Sequence, residues 1–147
     1  MFTFIWGNNP FKTEAESAAN IAFIRAQYIN NGIGRWAVIE KLTGNFVGWA
    51  GLKLMLETHN GHTNYYDLGY RFIQCHWGKG YATEAAKAVL DYGFRVMGLN
   101  EIIGIADIDN TSSIKVLEKA GLIKSGLFDY NGKVHYWMSI EKSDFKF

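Results

Sequence analysis

The sequence predicts an α/β domain: a mixed, mostly antiparallel sheet with one parallel strand pair at its centre and helices packed on it. Three observations predict this. Tyr65–Met97 passes from two-residue to helical periodicity across a glycine-containing loop. A further strand, Glu101–Asp107, follows that helix, and two strands joined through a helix of this length lie parallel with a right-handed crossover. Hairpin signals flank the unit on both sides, at Thr43-Gly44-Asn45 and Asn131-Gly132.

In chain order, Thr13-Glu14-Ala15-Glu16 is a capping box, with Thr13 as N-cap and Glu16 reaching back. Ala18, Ile21, Ala22, Ile24, Tyr28 and Ile29 then recur at helical spacing until Asn30-Asn31-Gly32 stops the helix. Arg35–Lys41 alternates as a strand, and Phe46–Leu56 is its antiparallel partner across the Thr43 turn. Glu57–Asn64 is polar and loop-like. Tyr66, Leu68, Tyr70 and Phe72 alternate with Asp67, Gly69, Arg71 and Ile73, the period of a half-buried strand. From Ala82 the apolar residues Ala85, Ala86, Val89, Tyr92, Gly93 and Val96 take helical spacing, and Gly98-Leu99-Asn100 ends that helix. Asp109-Asn110-Thr111 caps a shorter helix carrying Ile114, Leu117 and Ala120, which Gly121 ends. Ile123–Tyr130 and Val134–Glu141 form the last hairpin around Asn131-Gly132. No repeat, low-complexity tract or linker divides the chain, and Pro10 is its single proline.

Composition bounds the function. With 147 residues the chain is one domain, able to bury roughly two-thirds of its unfolded surface. A formal charge of +1, with Lys and Arg scattered, gives no footprint for nucleic acid or an anionic membrane. The lone Cys75 excludes an intramolecular disulfide and fits a reducing compartment. No apolar run approaches the roughly 20 residues needed to cross a bilayer, and the start lacks the basic region of a signal peptide. A cytoplasmic protein is the simplest expectation. The His, Cys and carboxylate spacings give no metal site.

Trp77-Gly78-Lys79-Gly80-Tyr81-Ala82 joins the central strand to the long helix. The first N–H groups of a helix have no internal partner, and the helix dipole places about half a positive charge there. Glycine permits the φ values that turn successive N–H groups toward one point, and Lys79 adds a full charge beside them. The segment therefore suits a phosphate; equally, the glycines suit a plain strand-to-helix turn. Two nucleotide motifs fail. Thr83 stands where GxGxxG needs its third glycine. Gly80 follows Lys79 where a P-loop needs Ser or Thr, and Ile73 stands where that loop begins with glycine.

GYRF…HWGKGYATEA resembles the acetyl-CoA-binding core of the GNAT superfamily of N-acetyltransferases, above all the branch that acetylates ribosomal-protein N-termini. The superfamily signature is Arg or Gln, two residues, Gly, one residue, then Gly or Ala. Trp77, Gly80 and Ala82 hold those positions, so the first departs from it, as is usual in that branch. The resemblance continues at Asn110–Gly121 (NTSSIKVLEKAG) and more loosely over Trp36–Ile140. It implies a splayed central pair of parallel strands with acetyl-CoA as co-substrate. The pantetheine arm would lie beside Phe72 and Ile73, the pyrophosphate on the amides of Gly78, Lys79, Gly80, Tyr81, Ala82 and Thr83 next to Trp77, and Asn110 would bond the arm. It further implies that the chain enters after the family's first strand and helix, with Met1–Trp6 as a candidate edge strand. An exposed edge can pair with another copy, so the expected state is monomer or homodimer.

The chemistry implied is direct acetyl transfer to a primary amine, either a protein N-terminus or a small molecule such as an aminoglycoside, polyamine or amino acid. A non-catalytic module that holds CoA is the alternative. Asp67 is the first candidate base, on the resemblance, against an ordinary solvated strand carboxylate. His59 and His62 lie in the preceding loop; Glu40, Glu57 and His135 are unranked. Many members place a proton-donating tyrosine where this chain has Leu117. The ribosomal-protein branch instead uses a serine three residues after the asparagine, and Ser113 stands there; Ser113 also suits a helix cap, as Asn110 suits an N-cap. Cys75 reads as a buried, inert thiol.

Overall fold

A computed structural model of the chain describes residues 12–147, so the candidate strand at Met1–Trp6 and Pro10 lie outside the described residues. The order is α1 (Glu14–Asn31), β1 (Arg35–Ile39), β2 (Phe46–Met55), β3 (Tyr65–Phe72), α2 (Tyr81–Arg95), β4 (Glu101–Asp107), α3 (Thr111–Ala120), β5 (Ile123–Tyr130) and β6 (Lys133–Glu141). The strands form one sheet ordered β1-β2-β3-β4-β6-β5. Among the described residues only β3 and β4 run parallel, and every other strand pair is antiparallel. This is the α/β fold with a mixed sheet that the periodicities predict.

Local chemistry sets the element ends. Thr13 Oγ1 accepts from Glu16 N–H at 3.2 Å, while the Glu16 carboxylate accepts from Lys12 N–H at 2.6 Å. Gly32 and Gly121 end α1 and α3 in the left-handed conformation, at φ 71° and 109°. Asn131 and Gly132 both take positive φ, as a two-residue primed hairpin turn requires. Asn60-Gly61 does the same, and His59 and His62 exchange backbone bonds of 3.0 and 2.8 Å across it. The segment read as plain loop is thus a small tight turn of its own.

The face of the sheet bearing α2 and α3 holds the main core. Ala86, Val89, Leu90 and Phe94 of α2 meet Leu52, Leu68, Ile102 and Met138, and Leu117 and Ala120 of α3 complete the layer. Burying side chains of this size contributes roughly 1.5–3 kcal/mol each. The opposite face has a smaller cluster of Met55, Tyr65, Ile103 and Trp137. Strand β3 is therefore covered on both faces, where its alternation had indicated one.

Helix α1 departs from the expected stripe. Its one buried side chain is Gln27, and Ile21 and Ile29 are exposed. The inward positions are Ser17, Asn20, Ile24 and Gln27, a helical face offset from the apolar one. Tyr28 ties the helix end to β1 by donating to Arg35 O at 2.8 Å.

Candidate active site

The central parallel pair is barely paired. β3 continues to Phe72 and β4 to Asp107, yet they share a single registered pair, Asp67 with Ile103. Each is fully paired on its outer side, β3 with β2 as far as Phe72 and β4 with β6 as far as Asp107. The two strands diverge beyond Asp67, and the direction of their edge groups follows from one bond. Ile73 N–H donates to Val47 O at 3.0 Å, toward β2. Main-chain groups of alternate strand residues face opposite neighbours, so Arg71 and Gly69 also face β2, while Tyr70 and Phe72 turn theirs into the gap. Of the two residues expected beside an extended ligand, Phe72 presents its main chain there and Ile73 does not. Ile73 instead leaves its side chain exposed.

Trp77 closes one end of this gap. Its indole N–H donates to Phe72 O at 2.8 Å, which folds the loop back onto the strand. A short 3₁₀ turn, Gln74–His76, lies between them and was not visible in the sequence pattern. It carries Cys75 outward, so the thiol is exposed where a buried one was expected.

After Trp77 come Gly78 (φ 74°), Lys79 and Gly80 (φ 85°), and then the first turn of α2. A Cβ placed on either glycine would meet nothing within 4 Å, so the space in front of both is open. The first α2 backbone bond runs from Glu84 N–H to Gly80 O at 3.0 Å. No N–H from Gly78 through Thr83 donates to a backbone acceptor among the described residues, and no side chain caps Gly80. Six successive donors at a positive helix end, with Lys79 exposed among them, form an anion-receptive cradle. Tyr81 anchors it to the β1–β2 turn by donating to Glu40 Oε1. Hydrogen bonds from Thr43 and then Tyr81 hold the Glu40 carboxyl below its ordinary value.

At the far end of β4, Asn110 Oδ1 accepts from Ser113 N–H at 3.1 Å. That N-cap occupies the oxygen of Asn110 and leaves its amide N–H₂ for another partner. Ser113 has a neighbour that sequence reading missed. Tyr70 Oη lies 3.0 Å from both Ser113 O and Ser113 Oγ. Burial raises the Tyr70 pKa above the ordinary phenol value. Leu117, at the position of the family's tyrosine, is buried in the main core and would collide with a side chain at Gly104.

Asp67 lies on the opposite face of β3, where the strands begin to part. It is not the solvated carboxylate of the plainer reading. Asp67 Oδ2 accepts from Arg35 Nη2 at 2.8 Å, and both side chains are largely buried. Arg35 Nη1 also donates to Asp67 O and Gly51 O, so the guanidinium staples β1, β2 and β3. A Cβ at Gly69 would sit 2.5 Å from that guanidinium, which is why glycine stands there. Tyr65, Tyr130 and His59 share this face. Tyr65 Oη meets His59 Nδ1 at 3.1 Å, and the His59 ring packs on Tyr130 at 5.2 Å. Burial, with the Asp67 charge second, raises the pKa of both tyrosines. His62 stacks on Trp137 at 4.8 Å, Glu57 is exposed, and His135 Nδ1 bonds Lys133 O.

The sheet thus has a central strand pair opened on one side, with an anion-receptive helix start at the end of the opening. The sequence model described as the acetyltransferase (GNAT) domain matches residues 3–123, and the chain belongs to that family. A protein of Bacillus licheniformis described as an uncharacterized N-acetyltransferase, p20, is 34% identical over 122 residues, which is 82% of this chain and 66% of that one. The chain spans about half to two thirds of the length of three curated relatives that it matches. Among solved structures, a GNAT-family acetyltransferase from Bacillus anthracis superposes with a TM-score of 0.75 at 28% identity, covering 97% of this chain and 81% of that one. The spermidine N-acetyltransferase of Vibrio cholerae, solved with CoA and spermine, shares the fold at 22% identity and a TM-score of 0.70, covering 97% and 83%. Among the described residues no helix is long and apolar enough to cross a membrane.

Proposed function

We propose that this domain moves an acetyl group from acetyl-CoA to a primary amine by direct attack in a ternary complex. The observation that carries the reading is the open β3–β4 edge leading into six unpartnered N–H groups. The edge groups of Tyr70 and the N–H of Phe72, whose carbonyl Trp77 already engages, bond the pantetheine arm as an added strand would. Gly78–Thr83 and Lys79 take the pyrophosphate, Trp77 fixes the loop, and the Asn110 amide meets the arm at its far end.

The acceptor approaches the other face of the sheet, toward Asp67. Only the neutral amine attacks, and an α-amine (pKa about 7.7–8.0) gives it more readily than a lysine-type amine (about 10.4). Asp67 holds one carboxylate oxygen against Arg35 and keeps the other for the amine's proton, directly or through water. As the C–N bond forms and the C–S bond breaks, the electron pair settles on sulfur and the Ser113 hydroxyl donates a hydrogen bond to it. A thiol has a pKa near 8.5, far below a serine hydroxyl, so Ser113 stabilises the thiolate without giving up its proton.

A protein N-terminal amine is the leading acceptor, on the resemblance of WGKGYATEA and NTSS to the ribosomal-protein branch. A small polyamine is the second reading, favoured by the structural likeness to a spermidine acetyltransferase. Calorimetric titration with acetyl-CoA, paired with thiol release over peptides and small amines, tests the proposal. Micromolar binding with release on at least one amine is expected. No binding at millimolar acetyl-CoA ends the proposal, and binding without release on any amine leaves a CoA-holding module. Ser113→Ala should lower kcat at least about tenfold, the worth of a hydrogen bond to a charged group, with acetyl-CoA affinity unchanged within about twofold. Turnover at the wild-type rate in that variant would leave the sulfur to water.

A further inference from the structure

The contact between Tyr70 and Ser113 spans 43 positions of sequence and lies beside the gap between β3 and β4. Hydrogen-bond arithmetic makes it informative. A phenol has one proton, and two acceptors stand 3.0 Å from Tyr70 Oη: the Ser113 carbonyl and the Ser113 hydroxyl. If the phenol donates to the carbonyl, the serine's own hydrogen is left to point back at the phenol oxygen, away from the gap. If it donates to Oγ, the serine hydrogen is free to point elsewhere. Each arrangement satisfies the buried phenol, so the pair is a two-position switch that exchanges hydrogen bonds without moving a proton between heavy atoms.

We propose that Tyr70 is a positioning residue for acetyl transfer: it donates to Ser113 Oγ when the thioester is in place, and so turns the serine hydrogen toward the leaving sulfur. The inference rests on the acetyl-transfer reading above and adds the group that aims its proposed hydrogen-bond donor. The bonds formed and broken at carbon and sulfur are unchanged, and Tyr70 keeps its proton throughout. Burial, the chief cause of its raised pKa, favours that neutral form. Its hydrogen-bond partner Ser113 on α3 acts against burial, and the charge of Asp67, on the other face of the same strand, acts with it. Asn110 fixes the serine from the other side by accepting its N–H, so only the hydroxyl is left to rotate.

The alternative is a tether that merely holds α3 against β3, and a double-mutant cycle separates the two. Tyr70→Phe keeps the ring and its packing, with Tyr70→Met as a second variant of apolar character; acetyl-CoA titration certifies that each is folded. The expected result is a fall in kcat of about tenfold in Tyr70→Phe, acetyl-CoA affinity within about twofold of wild type, and no further fall when the change is added to Ser113→Ala. A kcat equal to wild type overturns the proposal, and so does a loss of the same factor with and without Ser113, or a loss that appears only as weaker acetyl-CoA binding. A wild-type protein that turns over no amine at all instead overturns the acetyl-transfer reading on which this one stands.

Discussion

Gly80→Asp is expected to weaken acetyl-CoA binding at least a hundredfold while shifting the melting temperature by only a few degrees. The two effects separate because they come from different atoms. At φ 85° an L residue is strained, but Asp visits this region more readily than most, and no atom lies within 4 Å of the new Cβ. A carboxylate at a helix start is also favoured by the dipole. The folding cost is therefore about 1 kcal/mol or less, roughly 4 °C for a chain of this size. For the ligand, the same carboxylate stands where the proposal puts the two phosphates. Like charges about 5 Å apart repel by roughly 3 kcal/mol at an effective dielectric constant of 20, and the side chain covers the donors of the loop. Gly80→Ala is the control, since it carries the strain without the charge and should cost tenfold or less in affinity. Equal affinities for Gly80→Asp and wild type would remove the phosphates from this loop.

What the sequence made legible divides along a physical line. Thr13 with Glu16, Asn110, Gly121 and the Asn131-Gly132 turn act over four residues or fewer, and each stands in the structure where its chemistry placed it. The parallel relation of β3 and β4 was legible for the same reason, because the length of the intervening helix dictates it. The interactions that shape the site are long-range. Arg35 meets Asp67 across 32 positions and Tyr70 meets Ser113 across 43, and no periodicity encodes such a distance. Trp77 shows the middle case. It departs from the family's first signature position, yet its indole N–H supplies a donor to Phe72 O from that same place. Helix α1 failed differently: its apolar spacing was real, but of that stripe Ile24 turns inward while Ile21 and Ile29 stay exposed, and Gln27 is the buried side chain, since propensity fixes that a helix forms and packing fixes which face is covered.

The same distinction between local preference and packing yields the other large effect. Replacing Gly48 on β2 by valine should destabilise the domain by about 3 kcal/mol or more, although valine is among the best strand formers. Propensity alone favours the change by up to about 1 kcal/mol. Against this, a Cβ at Gly48 would lie 2.3 Å from Arg71 O and 2.8 Å from Phe72 Cα. Both obstacles are backbone of the neighbouring strand, and Gly48 pairs with Phe72 in register, so no rotamer change relieves the contact and the strands must part. A fall of about 10 °C in melting temperature is the expected reading. Phe72 also frames the gap beside β4, so the protein that remains folded should bind acetyl-CoA more weakly as well. Gly126→Val supplies the comparison, because it puts the same side chain on edge strand β5 where a Cβ meets nothing within 4 Å. It should leave the melting temperature level or raise it. Equal shifts in the two variants would mean that strand propensity governs both sites, and that the tight pairing of β2 with β3 does not hold the inner edge of β3 in place.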